Sequence, residues 1–370
     1  MDRKKKRKIK EVTTAILGGI SVVISMGCVV MRLPMIVQGQ ELRFNMAAAS
    51  FILPCGEIKS DEQIVIEQEP LIYDPSPEEH SVRSKNINKE MALQTQKQDK
   101  TGQTQDDEGK RYKITETQFR SGGIRYNNFF VKNVTGTDLN IERVLKQKPD
   151  FKIKKNSSPQ VLIVHTHTCE KYMDKYECSY NENYYPRTTD NNKNVTQVGN
   201  AIAGSLEKAG ISTIHDLTHH DDPTYSGSYS RSADTIKKNL NKYPSIKVVL
   251  DIHRDGMTTK EKEKIKPTFM YKGKKAAQIM IMTGCDPDGK KGFPDWQQNL
   301  KLGLRLQQRA ETMYPGITRP MFFGKVRYNM NLTHGSLLIE VGSDANTLDE
   351  AVYTGTLLGN ALAKVLEDLQ

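Results

Sequence analysis

The sequence predicts an α/β protein: a largely parallel, twisted sheet with helices on both faces, preceded by a single N-terminal transmembrane helix. Three observations predict it. Beyond Gln160, short apolar runs of strand length alternate with amphipathic stretches of helical length, the pattern of strands joined by helical crossovers. Three of those runs lead straight into ionisable residues, "VLIVHTHTCE", "VVLDIHRDG" and "SLLIEVGSDAN". Near the N-terminus, Val12 to Met31 forms a stretch of twenty residues without a charge.

The elements follow in chain order. Residues 1–11, "MDRKKKRKIKE", hold seven Lys/Arg and two acidic residues, so they supply half of the net charge of +10. A charge of that size suggests nucleic acid until its position is considered. The uncharged run behind it would rise about 30 Å as a helix, the thickness of a bilayer core. Residues 12–33 are therefore expected to be an uncleaved membrane anchor, with the basic tail cytoplasmic and all later residues extracytoplasmic. A cleaved signal peptide has a similar layout. The run is longer than a usual signal core, however, and no small-x-small site precedes Leu33. With the tail assigned to anionic lipid at the inner membrane face, nucleic-acid binding loses its motivation.

Residues 34–110 are expected to be an extracytoplasmic tether, largely disordered, because Lys59 to Lys110 is rich in Glu, Gln, Lys, Asp and Ser and cannot bury enough apolar surface to offset its ordering entropy. Residues 111–158 read as a small N-terminal subdomain, with a strand and turn at "FFVKNVTG" and a short helix at "DLNIERVLKQ". Residues 159–370 carry the rest: strands at "VLIVH", "ISTIHDLT", "IKVVLDIH", "AAQIMIMTG" and "GSLLIEVG", with helices at "TQVGNAIAGSLEKAG", "YSRSADTIKKNLNKYP", "DWQQNLKLGLRLQQRAETMYP" and "NTLDEAVYTGTLLGNALAKVLEDL". Five cysteines with no C-x-x-C pair argue against a cysteine-only zinc cluster. Cys169 and Cys178 are close enough in sequence to pair in an oxidising compartment, and two free thiols are the alternative.

In open α/β sheets chemistry sits beyond the carboxyl ends of the strands. If the three ionisable-tipped strands are neighbours, His165, His167, Glu170, His253 and Glu340 meet at one edge. Neutral imidazoles and a carboxylate from separate strand ends suit an open zinc site, with a further carboxylate to take a proton from water. His167-x-x-Glu170 places two donors on one tight turn, His253 would complete the set, and Glu340 suits the general base. The plainer alternatives are loop histidines for the first group and an ion pair with Arg254 or Arg231 for Glu340. A Cys169–His nucleophile has weaker support, because the residues crowd one loop and no separate group orients them. His215, His219 and His220 fall in an acidic loop, and His334 reads as structural.

With these residues in place the chain resembles the stage II sporulation protein P family, membrane-anchored N-acetylmuramoyl-L-alanine amidases similar to the amidase 3 class of zinc amidases. "VLIVHTHTCEKY" looks like the family's HTHxxE segment, "VVLDIHRDG" like its DIHRD segment, and "LLIEVGSDANTLDEA" like its EVGxxxNT segment. The resemblance covers about Ser121 to Gln370 and implies a zinc amidase-like sheet holding Zn2+. It further implies cleavage of the bond between muramic acid and L-alanine during engulfment, and also of peptide cross-links. A lytic transglycosylase-like partner, stage II sporulation protein D, is implied too. By position, His253 corresponds to a ligand and Glu340 to the catalytic glutamate; on the first strand His167 aligns best and His165 is the alternative. The wider class takes a glutamate ligand where this chain has Asn194, so Glu170 is the expected carboxylate. Arg254 and Asp255 are expected to orient His253 or contact substrate carboxylates. A non-catalytic peptidoglycan-binding module on the same scaffold is the competing expectation.

Overall fold

The computed structural model describes residues 67–68 and 109–370. The basic tail, the expected anchor at residues 12–33 and nearly all of the expected tether lie outside the described residues. Among the described residues no helix is long and apolar enough to cross a membrane.

The strands in chain order are β1 (Glu67–Gln68), β2 (Arg111–Thr117), β3 (Ile124–Tyr126), β4 (Phe129–Asn133), β5 (Val161–Val164), β6 (Ser179–Asn181), β7 (Thr213–His215), β8 (Val248–Asp255), β9 (Met257–Thr258), β10 (Lys264–Tyr271), β11 (Lys274–Ala277), β12 (Ile279–Gly284), β13 (Met321–Gly324) and β14 (Gly335–Ser343). The helices are α1 (Ile141–Leu145), α2 (Thr196–Lys208), α3 (Ser228–Lys242), α4 (Trp296–Met313) and α5 (Leu348–Glu367).

Eight strands form the main sheet in the order β3-β4-β13-β12-β14-β8-β5-β7. Its pairings are parallel except β3–β4 and β12–β14, which makes it a mixed α/β sheet with a parallel majority. Period-2 burial divides each central strand between two cores. Val161, Ile163, Val248, Leu250, Ile252, Leu337, Ile339 and Val341 face the large core with α2, α4 and α5. Leu162, Val164 and Val249 face Ile236 of α3 on the other side. Helices therefore cover both faces, α2, α4 and α5 with the short α1 on one and α3 on the other.

The α2–α5 contact is close because of two glycines. A Cβ on Gly355 would lie 2.9 Å from the Val198 carbonyl, and one on Gly359 would lie 2.7 Å from Ser205 Cβ. Helix α5 starts at a capping box, Thr347 with Glu350.

A second sheet, β1-β9-β10-β2-β6 with β11 on β10, was not legible in the sequence. Its central strand reads "KIKPTFMY", two lysines and a proline among apolar residues. Lys266 is nevertheless fully buried, with Glu350 at 2.9 Å and Glu116 at 3.9 Å, and Lys264 pairs with Asp344. Buried lysines demand such partners, and these come from distant segments. This sheet also corrects the expected subdomain at residues 111–158. β2 pairs with β10 and β6 while β4 pairs with β13, so the segment is woven into both sheets. The described residues from Lys59 onward belong to one compact unit.

Candidate active site

The central site pair comes from strand register. Glu340 of β14 and His253 of β8 are direct partners across a parallel ladder, so their side chains leave the same face of the sheet side by side. Just beyond Glu340 the register shifts, and Gly342 takes a left-handed φ of 69°. This bulge interrupts the ladder just after the carboxylate, and pairing resumes at Ser343 with Asp255.

The neighbouring strand supplies the third element. Val164 of β5 lies opposite Asp251 of β8, and the following turn is pinned to that carboxylate. The Thr166 amide donates to Asp251 Oδ1 at 2.8 Å and its hydroxyl to Oδ2 at 2.6 Å. The Glu170 amide donates to the His167 carbonyl at 3.2 Å, which closes the turn. His167 thereby stacks on Tyr225, with centroids 4.4 Å apart, and stands edge-on to His253 at 5.3 Å. Glu170 Oε2 accepts the Arg254 amide at 3.0 Å and lies 3.6 Å from His253 Nδ1. Asp251 Oδ1 lies 2.8 Å from His253 Nε2, yet that nitrogen has no aligned hydrogen bond. Glu340 Oε2 is likewise buried without a partner.

Charges at the site are strongly coupled. Burial, then the charge of Asp255, raises Glu340 to about 8, against the pull of His253 and Arg319. Burial disfavours a charged His253, but Asp251 and Glu170 overcome it and hold this imidazole well above its ordinary value. Burial and then the neighbouring His253 push His167 down to about 3, so it remains a neutral donor at neutral pH.

The residues fit a divalent ion in donor type. His167, His253 and Glu170 combine two imidazoles with one carboxylate, and a buried polar atom beside them, Glu340 Oε2, lacks a partner. Carboxylates of Glu170 and Asp251 already flank a positive imidazolium, which is the electrostatic setting a cation needs. Among the described residues, no three His, Cys, Asp or Glu side chains are gathered tightly enough around one point to hold an ion as they stand.

Other expected site residues are placed elsewhere. His165 sits on the opposite face, its Nδ1 2.8 Å from the Ile252 carbonyl and its Nε2 2.8 Å from His215 Nε2. A Cβ on Gly199 of α2 would lie 2.8 Å from that ring. His165 is thus a packed core histidine beneath α2, and the first-strand residue that reaches His253 is His167. Arg254 Nε, Nη1 and Nη2 donate to the carbonyls of Lys171, Asp255 and Pro186 at 3.2, 3.4 and 2.8 Å. This side chain clamps the backbone around the His167–Glu170 turn. Asp255 accepts from Arg319 Nη1 at 2.9 Å, an ion pair at the strand end. Arg231 also donates to backbone carbonyls, those of His220, Ser226 and Thr224.

Asn194 Oδ1 accepts the Thr196 amide at 3.0 Å and so caps the first turn of α2. His220 bonds the His165 carbonyl at 2.7 Å and His219 bonds Asn191 at 2.8 Å. His334 meets Asp150 near the surface. Cys169 and Cys285 are free, and Cys178 is disulfide-bonded. The Cys169–Cys178 pairing is therefore not formed. Burial, then Asp221, pushes the Cys169 thiol far up, which removes it as a nucleophile. Sequence reasoning missed Asp251, whose position two residues before His253 on the same face was the available signal, and Arg319, which no strand-end pattern marks.

A model of the stage II sporulation protein P family matches residues 47–363. The chain belongs to that family. A relative described as stage II sporulation protein P from Bacillus subtilis (strain 168) is 27% identical over 220 residues, 56% of this chain and 50% of the relative. The chain thus matches about half the length of that curated relative. Among solved structures, the chain is similar to the CwlD amidase from Clostridioides difficile in complex with the GerS lipoprotein, with a TM-score of 0.35, 11% identity and coverage of 57% of this chain and 98% of that one. It is also similar to the N-acetylmuramyl-L-alanine amidase Ami1 from Mycobacterium smegmatis, with a TM-score of 0.34, 11% identity and coverage of 58% and 99%. Family membership rests on the match to residues 47–363, which contains the whole His167, Glu170, His253 and Glu340 constellation.

Proposed function

We propose that the protein is a membrane-anchored, zinc-dependent peptidoglycan hydrolase that cleaves the N-acetylmuramoyl-L-alanine amide during engulfment in sporulation. The observation that carries this reading is the Glu340–His253 pair, side by side on adjacent strands with a buried, unpartnered carboxylate oxygen at its centre. Such an oxygen costs folding free energy, and a proton-transfer role accounts for its retention.

His167, Glu170 and His253 would hold the ion. When bound, zinc would lower the pKa of water and polarise the amide carbonyl. Glu340 Oε2 takes the proton of the attacking water and returns it to the amide nitrogen as the carbon–nitrogen bond breaks, giving a lactyl carboxylate and a free L-alanine amine. Asp251 beside His253 Nε2 is the outer support that a ring ligand requires, and Nδ1, on the side of Glu170, is the nitrogen that would bind the ion. The stacked Tyr225 fixes the plane of the His167 ring.

Membrane attachment through residues 12–33, with the hydrolase outside, rests on the sequence pattern, and a glycan-cleaving partner resembling stage II sporulation protein D rests on the family resemblance alone. Cleavage of peptide cross-links belongs to the same proposal. The test is muropeptide analysis of purified walls treated with wild type and with Glu340→Ala. Loss of a proton-transfer group predicts a drop of about a hundredfold or more, and equal release by the two proteins would defeat the catalytic reading.

A further inference from the structure

Arg319, just before β13, is held more firmly than its visible partners require. Its amide donates to the Ile279 carbonyl at 2.8 Å, and its own carbonyl accepts from the buried Gln307 at 3.0 Å. The side chain is 4% exposed. It reaches the carboxyl end of β8, where Nη1 donates to Asp255 Oδ2 at 2.9 Å and touches Met257 sulfur at 3.2 Å. Asp255 follows His253 by two residues on β8, so the guanidinium lies at the strand end that carries the proposed site.

Two of its nitrogens, Nε and Nη2, are buried with no hydrogen-bond partner. These two are not a random pair. Their N–H bonds lie parallel along one edge of the planar guanidinium and form the side-on fork that grips two oxygens of one carboxylate. Asp255 engages the Nη1 corner and leaves that edge whole. A buried guanidinium with an unused fork carries an unpaid desolvation cost, and a ligand that supplies two coplanar oxygens removes it.

The surroundings divide the two sides of the site. Beside His167 the wall is aromatic, with Tyr225 stacked on its ring, Tyr229 edge-on to it and Tyr328 against Tyr229. Such a wall suits the apolar face of a sugar. At the carboxyl end of β8, two residues beyond His253, Arg319 is the cation, and Asp255 takes only its Nη1 corner. We propose that Arg319 is a specificity-determining residue whose Nε/Nη2 fork receives a free carboxylate of the stem peptide, on the amine side of the scissile amide. This inference rests on the amidase reading for the identity of the ligand, and on the unpartnered fork for the chemistry.

The test separates binding from turnover. The full chain is titrated with a stem peptide beginning at L-alanine, once with its carboxylates free and once with them converted to carboxamides. Wild type should bind the free form about tenfold or more tightly, the range for a charge-assisted hydrogen-bonded pair. Arg319→Gln should lose the preference, and Arg319→Lys, which keeps the charge without the fork, should retain only part of it. Each ratio is internal to one protein, so a general loss of stability does not imitate the result. Equal binding of the two peptides by wild type overturns the proposal without any variant, as does an unchanged ratio in Arg319→Gln. Should wild type show the preference but release nothing from walls, the amidase reading fails while the carboxylate site stands.

Discussion

Replacing Asp251 by Asn should destabilise the protein by an amount that fades with acid. The carboxylate accepts the amide and hydroxyl of Thr166 and lies beside His253. Burial works against its ionised form, but the His253 charge and these bonds draw Asp251 from 3.8 to about 2. At 1.36 kcal/mol per pKa unit this corresponds to roughly 2.5 kcal/mol at neutral pH. For a domain of this size about 1 kcal/mol moves Tm by 2–4 °C, so Asp251→Asn should lower Tm by roughly 5–10 °C at pH 7. The sign is fixed by the direction of the shift. A lowered carboxyl pKa stabilises fully above the unfolded value, and the contribution is lost as pH falls towards the folded one. The gap between wild type and variant, followed by circular dichroism melts, should hold from pH 7 to about 5 and be roughly halved near pH 3. A Tm within about 2 °C of wild type at pH 7, or a gap that does not shrink in acid, would refute the tie between the first-strand turn and the His253 strand.

Further outcomes follow from the same geometry. After reconstitution with zinc, the Ala variants of His167, Glu170 and His253 should each lose metal measured by atomic absorption, whereas His165→Gln should keep it; retention by all four would remove the proposed ligand set. His165 is depressed to about 3, chiefly by burial and then by His215. The unfolded chain therefore takes up this proton first, and stability should fall below pH 6.5 by up to about 1.4 kcal/mol per pH unit. His165→Gln should flatten that limb in urea titrations, and an unchanged slope would show that the ring is not held neutral. Glu350→Ala strands the fully buried Lys266 ammonium and should cost about 3–5 kcal/mol. Adding Lys266→Met should recover much of it, and a double variant no more stable than the single one would contradict the pairing.

Much of the main sheet could be read from the chain because its strands are continuous apolar runs bounded by helices of clear periodicity. The three strand ends bearing His167, His253 and Glu340 were visible for the same reason, since a sharp change from apolar to ionisable residues marks where a buried strand emerges. Which first-strand histidine faces the site was not visible. His165 continues the alternation of Val161 and Ile163 towards α2, and only the turn fixed by Asp251 swings His167 to the other face. The second sheet was hidden because β10 carries Lys264, Lys266 and Pro267, and its lysines are neutralised by Asp344, Glu116 and Glu350 from far along the chain. The backbone role of Arg254 was hidden for a related reason: the three carbonyls that accept its donors come from Lys171, Pro186 and Asp255, two of them far along the chain.

The most direct measurement is the identity of the new chain ends produced in purified peptidoglycan. The full zinc-loaded chain should generate free L-alanine amino termini, detected by amine labelling and mass spectrometry, together with glycan strands stripped of their peptides. Glu340→Gln should generate about a hundredfold fewer. Walls left without new L-alanine termini by the wild-type protein, or an equal yield from the variant, would contradict the account.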